Sequence, residues 1–294
     1  MKGSESPHYR RLLRPGNTNC GGCGMSVAFQ MFRRSIGETN IQLVIPACCA
    51  AVAAGGFPYN AYEAPVLLST FASAASTASG MAQVARLNGE NTRVVCWAGD
   101  GGTYDIGLAS LSGAAERNED ILFVCYDNEI YGNTGGQRSS ATPVGAGASN
   151  IIKGKLEPKK DIMGIMAAHG IPYAATISLA NPDDSKRKFE RALREKGFRF
   201  LLILAPCPTG WKSDPSKTVE LVRLAVRSGL YPVIEIENGR RWIINIEPDF
   251  SRADLERYLS LQRRFKKSEI RPDDMRRAID LLWEKLRALA GCIT

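Results

Sequence analysis

Two groups of residues in this chain have the types and spacing that chemistry needs. The first is Trp97-Ala98-Gly99-Asp100-Gly101-Gly102-Thr103, where the glycines let backbone amides approach an anion and Asp100 offers a hard oxygen ligand. Asn128 stands 28 residues further on, in Tyr126-Asp127-Asn128-Glu129. Both pieces close β-rich runs, which puts them at one edge of a sheet, and a helix starting near Asp105 would add amide donors behind the glycines. Magnesium takes one or two protein oxygens and completes its octahedron with phosphate oxygens and water. Asp100, Asn128 and the main-chain carbonyl of Ile130 would fill that role. A lone Gly-Asp-Gly is an ordinary turn, so the pairing with Asn-Glu carries the signal. The second group is thiols. Cys20-Gly21-Gly22-Cys23 can present two thiolates to one centre, and alone it fits a zinc knuckle or a redox pair equally. Further cysteines stand in Ala47-Cys48-Cys49 and, isolated, at Cys207. Cys96 and Cys125 lie inside strand-like runs and read as small core residues, and Cys292 reads as a tail thiol.

The elements that must position these groups alternate in type. Strand candidates are Ile41–Ile45, Arg93–Trp97, Ile121–Tyr126, Tyr173–Ile177 and Phe200–Leu204, each bounded by glycine, proline or polar residues and separated by helix-like stretches. That is the pattern of an α/β fold with a mainly parallel sheet flanked by helices. Residues 65–88, dense in Ala, Ser, Thr and Gly, read as one long helix with small faces, packed inside its own domain or at a subunit interface. After Cys207 the pattern changes to an amphipathic helix (Lys217–Arg227), a hairpin turning at Asn238-Gly239 and two charged helices. The expected organisation is a cofactor-binding domain over 1–212 and a C-terminal extension over 213–294.

Composition narrows the classes. With 294 residues and 44% hydrophobic content, the chain can bury a large core, which excludes disorder. No apolar run reaches the length of a membrane span, and the start MKGSESPHYRR lacks the apolar stretch of a secretory signal. A soluble, cytoplasmic chain is expected. Eight cysteines then suit metal ligation or catalysis in a reducing compartment better than disulfides. Only His8 and His169 are present, which argues against a histidine metal site or a Ser-His-Asp triad, and His169 reads as a capping or surface residue. The net charge of +8 comes without an arginine-rich tail or nucleic-acid motif, so it points to an acidic protein partner or an anionic ligand. Its densest cluster, Arg263-Arg264-Phe265-Lys266-Lys267, reads either as a solvated helix face or as a docking surface.

The spacing from Asp100 to Asn128 resembles the thiamine-diphosphate-binding motif. The longer string Gly99-Asp100-Gly101-Gly102, Asp105-Ile106-Gly107, Asp127-Asn128-Glu129, Tyr131 and Asn133-Thr134-Gly135-Gly136-Gln137 resembles the β subunits of pyruvate:ferredoxin oxidoreductase and its 2-oxoacid relatives. The likeness runs from about Pro15 through Trp211, with an echo around Tyr258–Phe265. It implies a thiamine-diphosphate-binding fold and CoA-dependent oxidative decarboxylation of a 2-oxoacid, pyruvate by default, with electrons passed through a 4Fe–4S cluster to ferredoxin. The resemblance also implies site roles. Asn133 would lie close to cofactor and substrate as the catalytic candidate, with Tyr131 and Thr134 in the cofactor loop, and Cys20, Cys23, Cys49 and Cys207 would ligate the cluster. Partners would be α-, γ- and δ-type subunits that complete the site and carry electrons onward, with neither nucleic acid nor membrane involved. Cys48 stands where relatives carry glycine, and Cys49 sits at the ligand's offset before Ala50-Ala51-Val52 and Pro58. Gly16-Asn17-Thr18-Asn19 replaces a histidine and basic residue of the relatives. The rivals are a non-redox thiamine diphosphate carboligase or decarboxylase, and a basic zinc-binding nucleic-acid module. Cys20–Cys23 and the Asn133–Gln137 loop together speak against the first.

Overall fold

The computed structural model describes residues 12–56 and 58–291; His8 and Cys292 lie outside them. Eight strands form one sheet: β1 (Asn40–Ile45), β2 (Val66–Leu68), β3 (Thr92–Gly99), β4 (Ile121–Asp127), β5 (Tyr173–Ile177), β6 (Arg199–Leu204), β7 (Val233–Glu237) and β8 (Arg241–Ile246). Their order is β2-β1-β3-β4-β6-β5-β7-β8, with every pair among the first six parallel. All five expected strands are therefore present: β5 coincides, β1, β4 and β6 are one residue longer, and β3 is three residues longer.

Parallel strands need crossovers, and helices supply them on both faces. One face is covered by α1 (Gly24–Ile36), α2 (Cys49–Ala54), α7 (Pro182–Arg194) and α9 (Thr218–Arg227). The other carries α3 (Ala74–Leu87), α5 (Leu108–Glu116), α6 (Ile162–Ala168) and α11 (Pro272–Gly291). Short helices α4 (Gly101–Tyr104) and α8 (Pro208–Trp211) sit at strand ends, and α10 (Arg252–Ser260) precedes a 3-10 turn at Arg263–Phe265. Side-chain alternation feeds the two cores: Val95 and Trp97 of β3 pack on the first, Val94, Cys96 and Ala98 on the second. Cys96 and Cys125 are fully buried in the second core, as their strand positions imply.

Two expectations are corrected. Residues 65–88 do not form one helix. Val66–Leu68 is a strand paired with β1, where the Leu43 amide donates to the Pro65 carbonyl at 2.8 Å, and the helix begins only at Ala74 after a turn closed by Thr70 and Ser73. Small-residue content permits close packing without specifying a helix, and α3 uses it to lie against β3 and α5. Nor does a helix start near Asp105: α4 begins at Gly101, the chain breaks at Asp105, and α5 starts at Leu108. The path through the break needs glycine at 107, since a Cβ there would stand 1.9 Å from the Gly102 carbonyl oxygen.

The hairpin turns where expected. Asn238 and Gly239 take φ of 50° and 67°, paired positive values at the centre of a tight turn that the Arg240 amide closes by donating to the Glu237 carbonyl at 3.0 Å. It does not stand apart, because β7 pairs antiparallel with β5 and continues the same sheet. Its anchor is Glu235, whose carboxylate accepts from Tyr173 at 2.7 Å, Arg187 at 2.6 Å and Asn245 at 2.7 Å. Burial pushes the Glu235 carboxyl up, but these donors outweigh it and bring the pKa down from 4.5 to about 2. A depressed folded-state value contributes stability that is complete above the ordinary value and lost as pH falls through the folded one. Thermal melts of Glu235→Gln should therefore lie below those of the unaltered protein at pH 7, and the gap should close between pH 5 and pH 2.

Candidate active site

β3 ends at Gly99, and Asp100 caps α4, its Oδ1 accepting from the Gly101 amide at 2.9 Å. Its Oδ2 accepts from the Ser139 hydroxyl at 2.5 Å. No lysine or arginine of the described residues pairs with it. Burial first, then the neighbouring Asp127 carboxylate, push the Asp100 carboxyl well above the usual carboxylate range. Asn128 follows the end of β4 and is buried, its Oδ1 accepting from the Ile130 amide at 3.3 Å. The Ile130 carbonyl accepts no hydrogen bond from the described residues. Asp100, Asn128 and Ile130 line one cavity of about 450 Å³, together with Gly99, Gly101, Tyr131, Asn133 and Thr134. Gly101 leaves no room for a side chain, since a Cβ would meet the rings of Phe71 at 2.7 Å and Tyr131 at 2.8 Å. Gly102 is buried beside it, where a Cβ would press on the Pro46 ring at 3.3 Å. Tyr131 is held from below, where its hydroxyl and that of Ser140 both donate to Asp105.

This oxygen set fits a magnesium diphosphate. A buried carboxylate crowded by a second acid and given no cation is relieved by a divalent ion, and an amide oxygen and an unpartnered carbonyl are hard ligands of the kind magnesium accepts. Among the described residues no three His, Cys, Asp or Glu side chains gather tightly around one point, and such a site needs only one carboxylate.

Behind the cavity lies a chain of charges that the motifs did not disclose. Lys159 Nζ sits 2.7 Å from Asp127 and 2.9 Å from Glu129, and Arg264 reaches Glu129 at 2.7 Å. Tyr104 donates to Asp127 at 2.8 Å. Burial raises the Glu129 carboxyl, but Lys159 and Arg264 outweigh it and leave it lowered; burial raises Asp127, and Lys159 only partly offsets that. No local pattern could have found Lys159 or Arg264, which stand 30 and 135 residues from Glu129. Arg264 corrects the reading of the basic cluster: it is buried, while Arg263, Lys266 and Lys267 are exposed.

The thiols converge from three loops. Cys23 caps α1, whose start is pinned by the Gly24 amide donating to the Pro206 carbonyl at 3.0 Å, next to Cys207. Cys207 caps α8 and accepts from the Gly210 amide at 3.3 Å. Cys49 opens α2; burial, then Cys207, Cys48, Cys23 and Cys20, push its thiol up to about 12, so all five lie within electrostatic reach. The neighbours 48 and 49 diverge. Cys48 is more deeply buried, bonded to Tyr126 and to the first amides of α2, whereas Cys49 Sγ donates to Asn133 Oδ1 at 3.3 Å. Single-ion sites draw sulfurs to one point, but a cubane cluster binds each to a different iron, and cysteines that would repel one another as thiolates are relieved by a cationic centre between them.

The Asn133–Gln137 loop is a tight reversal. The Tyr131 amide donates to Gln137 and the Gly136 amide to Tyr131, both at 2.9 Å, and Gly135 and Gly136 take φ of 109° and 83°. Thr134 and Gln137 bond to each other across it. Asn133 and Thr134 are exposed at the cavity mouth. His169 caps α6, its ring between the Ser112 hydroxyl at 2.7 Å and the Ile165 carbonyl at 2.8 Å, away from this cavity.

Fold and cavity define a thiamine diphosphate-binding domain. The family described as thiamine pyrophosphate enzyme, C-terminal TPP binding domain, matches residues 47–203. Over nearly its whole length the chain is similar to ketoisovalerate oxidoreductase subunit VorB of Pyrococcus abyssi, 42% identical over 96% of each chain. It is also similar to pyruvate synthase subunit PorB of Methanothermobacter marburgensis, 40% identical over 94% of this chain and 97% of that one. A solved 2-oxoglutarate:ferredoxin oxidoreductase from Magnetococcus marinus shares the fold, with a TM-score of 0.59 and 24% identity over 72% of this chain and 79% of that one. The chain belongs to the β subunits of the 2-oxoacid:ferredoxin oxidoreductases, thiamine diphosphate enzymes assembled from several subunits.

The approach of Cys23 to Cys207 depends on Gly24, where a Cβ would stand 2.6 Å from the Ala205 carbonyl carbon and the Pro206 nitrogen, backbone atoms that cannot rotate away. Gly24→Ala should cost about 1–3 kcal/mol as an overpacked contact. A thermal melt unchanged from the unaltered protein would show that the loop relaxes instead.

Proposed function

We propose that this chain holds the magnesium diphosphate end of thiamine diphosphate and a 4Fe–4S cluster side by side, within a cytoplasmic complex that oxidatively decarboxylates a 2-oxoacid to its acyl-CoA and passes the electrons to ferredoxin. The observation that carries the reading is the contact between Cys49 Sγ and Asn133 Oδ1, 3.3 Å, which joins the converging thiols to the rim of the cofactor cavity. Among the described residues no helix is long and apolar enough to cross a membrane.

Bound thiamine diphosphate supplies the carbanion-stabilising chemistry of decarboxylation, and an iron–sulfur centre accepts electrons one at a time. The chain's own residues position and exclude. Asp100, Asn128 and the Ile130 carbonyl would hold the metal, with Gly99, Gly101 and Gly102 keeping side chains out of the diphosphate's way. Tyr131, fixed by Asp105, and Phe71 wall the cavity, and Asn133 and Thr134 stand at its mouth facing the substrate's entry. Cys20, Cys23, Cys49 and Cys207 would ligate the cluster, and Cys48, turned toward Tyr126, would not. The α-, γ- and δ-type subunits would complete the site and relay the electrons. Ferredoxin reduction by the assembled, anaerobically purified complex tests the reading against a panel of 2-oxoacids. Pyruvate is the default from sequence, and ketoisovalerate is the acid named by the relatives of 41–42% identity. A colourless complex without CoA-dependent reduction of ferredoxin by any of them would reject it.

Two substitutions probe the site. Asp100→Ala should abolish magnesium-dependent cofactor binding in calorimetry on the complex, yet leave the melting temperature of the cofactor-free chain equal or higher, because it removes a buried, unpaired carboxylate. Unchanged affinity would take Asp100 out of the metal site. Cys48→Ala should leave the cluster's absorbance and electron paramagnetic resonance signal intact, whereas Cys49→Ala should lose them and uncouple decarboxylation from electron transfer. The opposite pattern would move the ligand to Cys48.

A further inference from the structure

We propose that Arg264, carried by the C-terminal segment, is a positioning residue for the metal and diphosphate loop, acting on it through Glu129 and Trp211. The inference rests on the assignment of Asn128 and the Ile130 carbonyl as metal ligands. Glu129, the residue between them, adopts φ of 60°, a left-handed conformation that non-glycine residues seldom hold unaided. The conformation sets the directions of the Asn128 amide and the Ile130 carbonyl, so whatever holds Glu129 aims both ligands.

Four contacts hold it. The Glu129 amide donates to Asp127 at 3.0 Å, and its carbonyl accepts from the Thr142 hydroxyl at 2.7 Å. Its carboxylate is taken by Lys159 and Arg264. Lys159 is shared with Asp127, leaving Arg264 as the cation whose only carboxylate partner among the described residues is Glu129. Arg264 acts a second time through an aromatic ring: its guanidinium lies 3.8 Å over Trp211, and the Trp211 indole N–H donates to the Asn128 carbonyl at 2.8 Å. The guanidinium is itself aimed, by Gln262 at 2.8 Å, while the Gly147 amide donates to its backbone carbonyl at 2.7 Å. One side chain from beyond the sheet's parallel half thus bears on this turn twice, directly at the Glu129 carboxylate and through Trp211 at the Asn128 carbonyl. Without it Glu129 would keep a buried charge on a shared lysine, and the left-handed turn would lose the contact that outbids its relaxation.

The alternative is that Arg264 merely staples the C-terminal segment down, and affinity separates the two. Magnesium and thiamine diphosphate are titrated calorimetrically into the assembled complex stripped of cofactor. Arg264→Gln should weaken binding about 10–100-fold, the range typical of groups that orient metal ligands. Exposed Arg263→Gln should not change it. Arg264→Lys should recover part of the loss, since one nitrogen reaches Glu129. Should the glutamine variant fail to assemble, Trp211→Phe keeps the ring beneath the guanidinium but removes the N–H, and it should weaken binding in the same direction. A lowered melting temperature with unchanged affinity in Arg264→Gln, or unchanged affinity in Trp211→Phe where that variant carries the test, overturns the proposal. If the unaltered complex binds no thiamine diphosphate, the proposed function falls and this inference with it; loss of effect in the variants alone overturns only the role of Arg264.

Discussion

The structure turns on a buried chain of alternating charges at the end of β4, running Asp127, Lys159, Glu129, Arg264. Two carboxylates on alternate residues flank Asn128, and neither could stay ionised in that interior alone. Removing one partner from a buried pair typically costs about 3–5 kcal/mol, because the remaining charge has lost its water and gained nothing. The cations arrive from two distant segments, the loop before α6 and the turn after α10. The conformation at the end of β4 therefore depends on segments 30 and 135 residues from Glu129.

That dependence orders the site. Functional loops leave the carboxyl ends of β1, β3, β4 and β6, which are consecutive neighbours in the sheet. With strands about 4.8 Å apart, loops from four adjacent strands meet over a short span. β1 delivers Cys48 and Cys49, β3 delivers Asp100, β4 delivers Asn128 to Asn133, and β6 delivers Cys207. The parallel arrangement is what puts all four at one edge. Only the first thiol pair comes from elsewhere, and glycine at position 24 lets its helix start directly against the β6 loop.

The same edge gathers acidic groups that no cation of the described residues helps to ionise. Asp100 has no cation of its own, and the Cys49 and Cys207 thiols are pushed up by burial and by one another. Behind it, Asp105, Asp127 and Glu129 each have a lysine or arginine partner. The contrast sets Asp127 and Glu129, held by protein cations, apart from Asp100, the proposed metal ligand, which has none among the described residues.

How much of this was legible depends on how far apart the interacting residues lie in the chain. The five central strands, the hairpin at Asn238-Gly239 and the pairing of Asp100 with Asn128 are local patterns or fixed spacings, and all could be read directly from the residues. The small-residue stretch over 65–88 could not, because Ala, Ser and Gly satisfy strand, turn and helix alike until β1 offers an edge to pair with. The roles of Cys48 and Cys49 were separable only by family offset, and the geometry adds a physical distinction, one thiol turned into the core and the other toward Asn133. Lys159, Ser139, Trp211 and Arg264 were invisible, since each meets the site across a separation that carries no periodicity. Sequence by itself determined the fold class and thiamine diphosphate as the cofactor, because strand patterns and the Asp100-to-Asn128 spacing are properties of short segments. Tertiary structure alone decided which charges are neutralised and which ligand directions are held, because a buried charge is stabilised by whatever the folded chain brings within hydrogen-bonding distance, however remote in sequence.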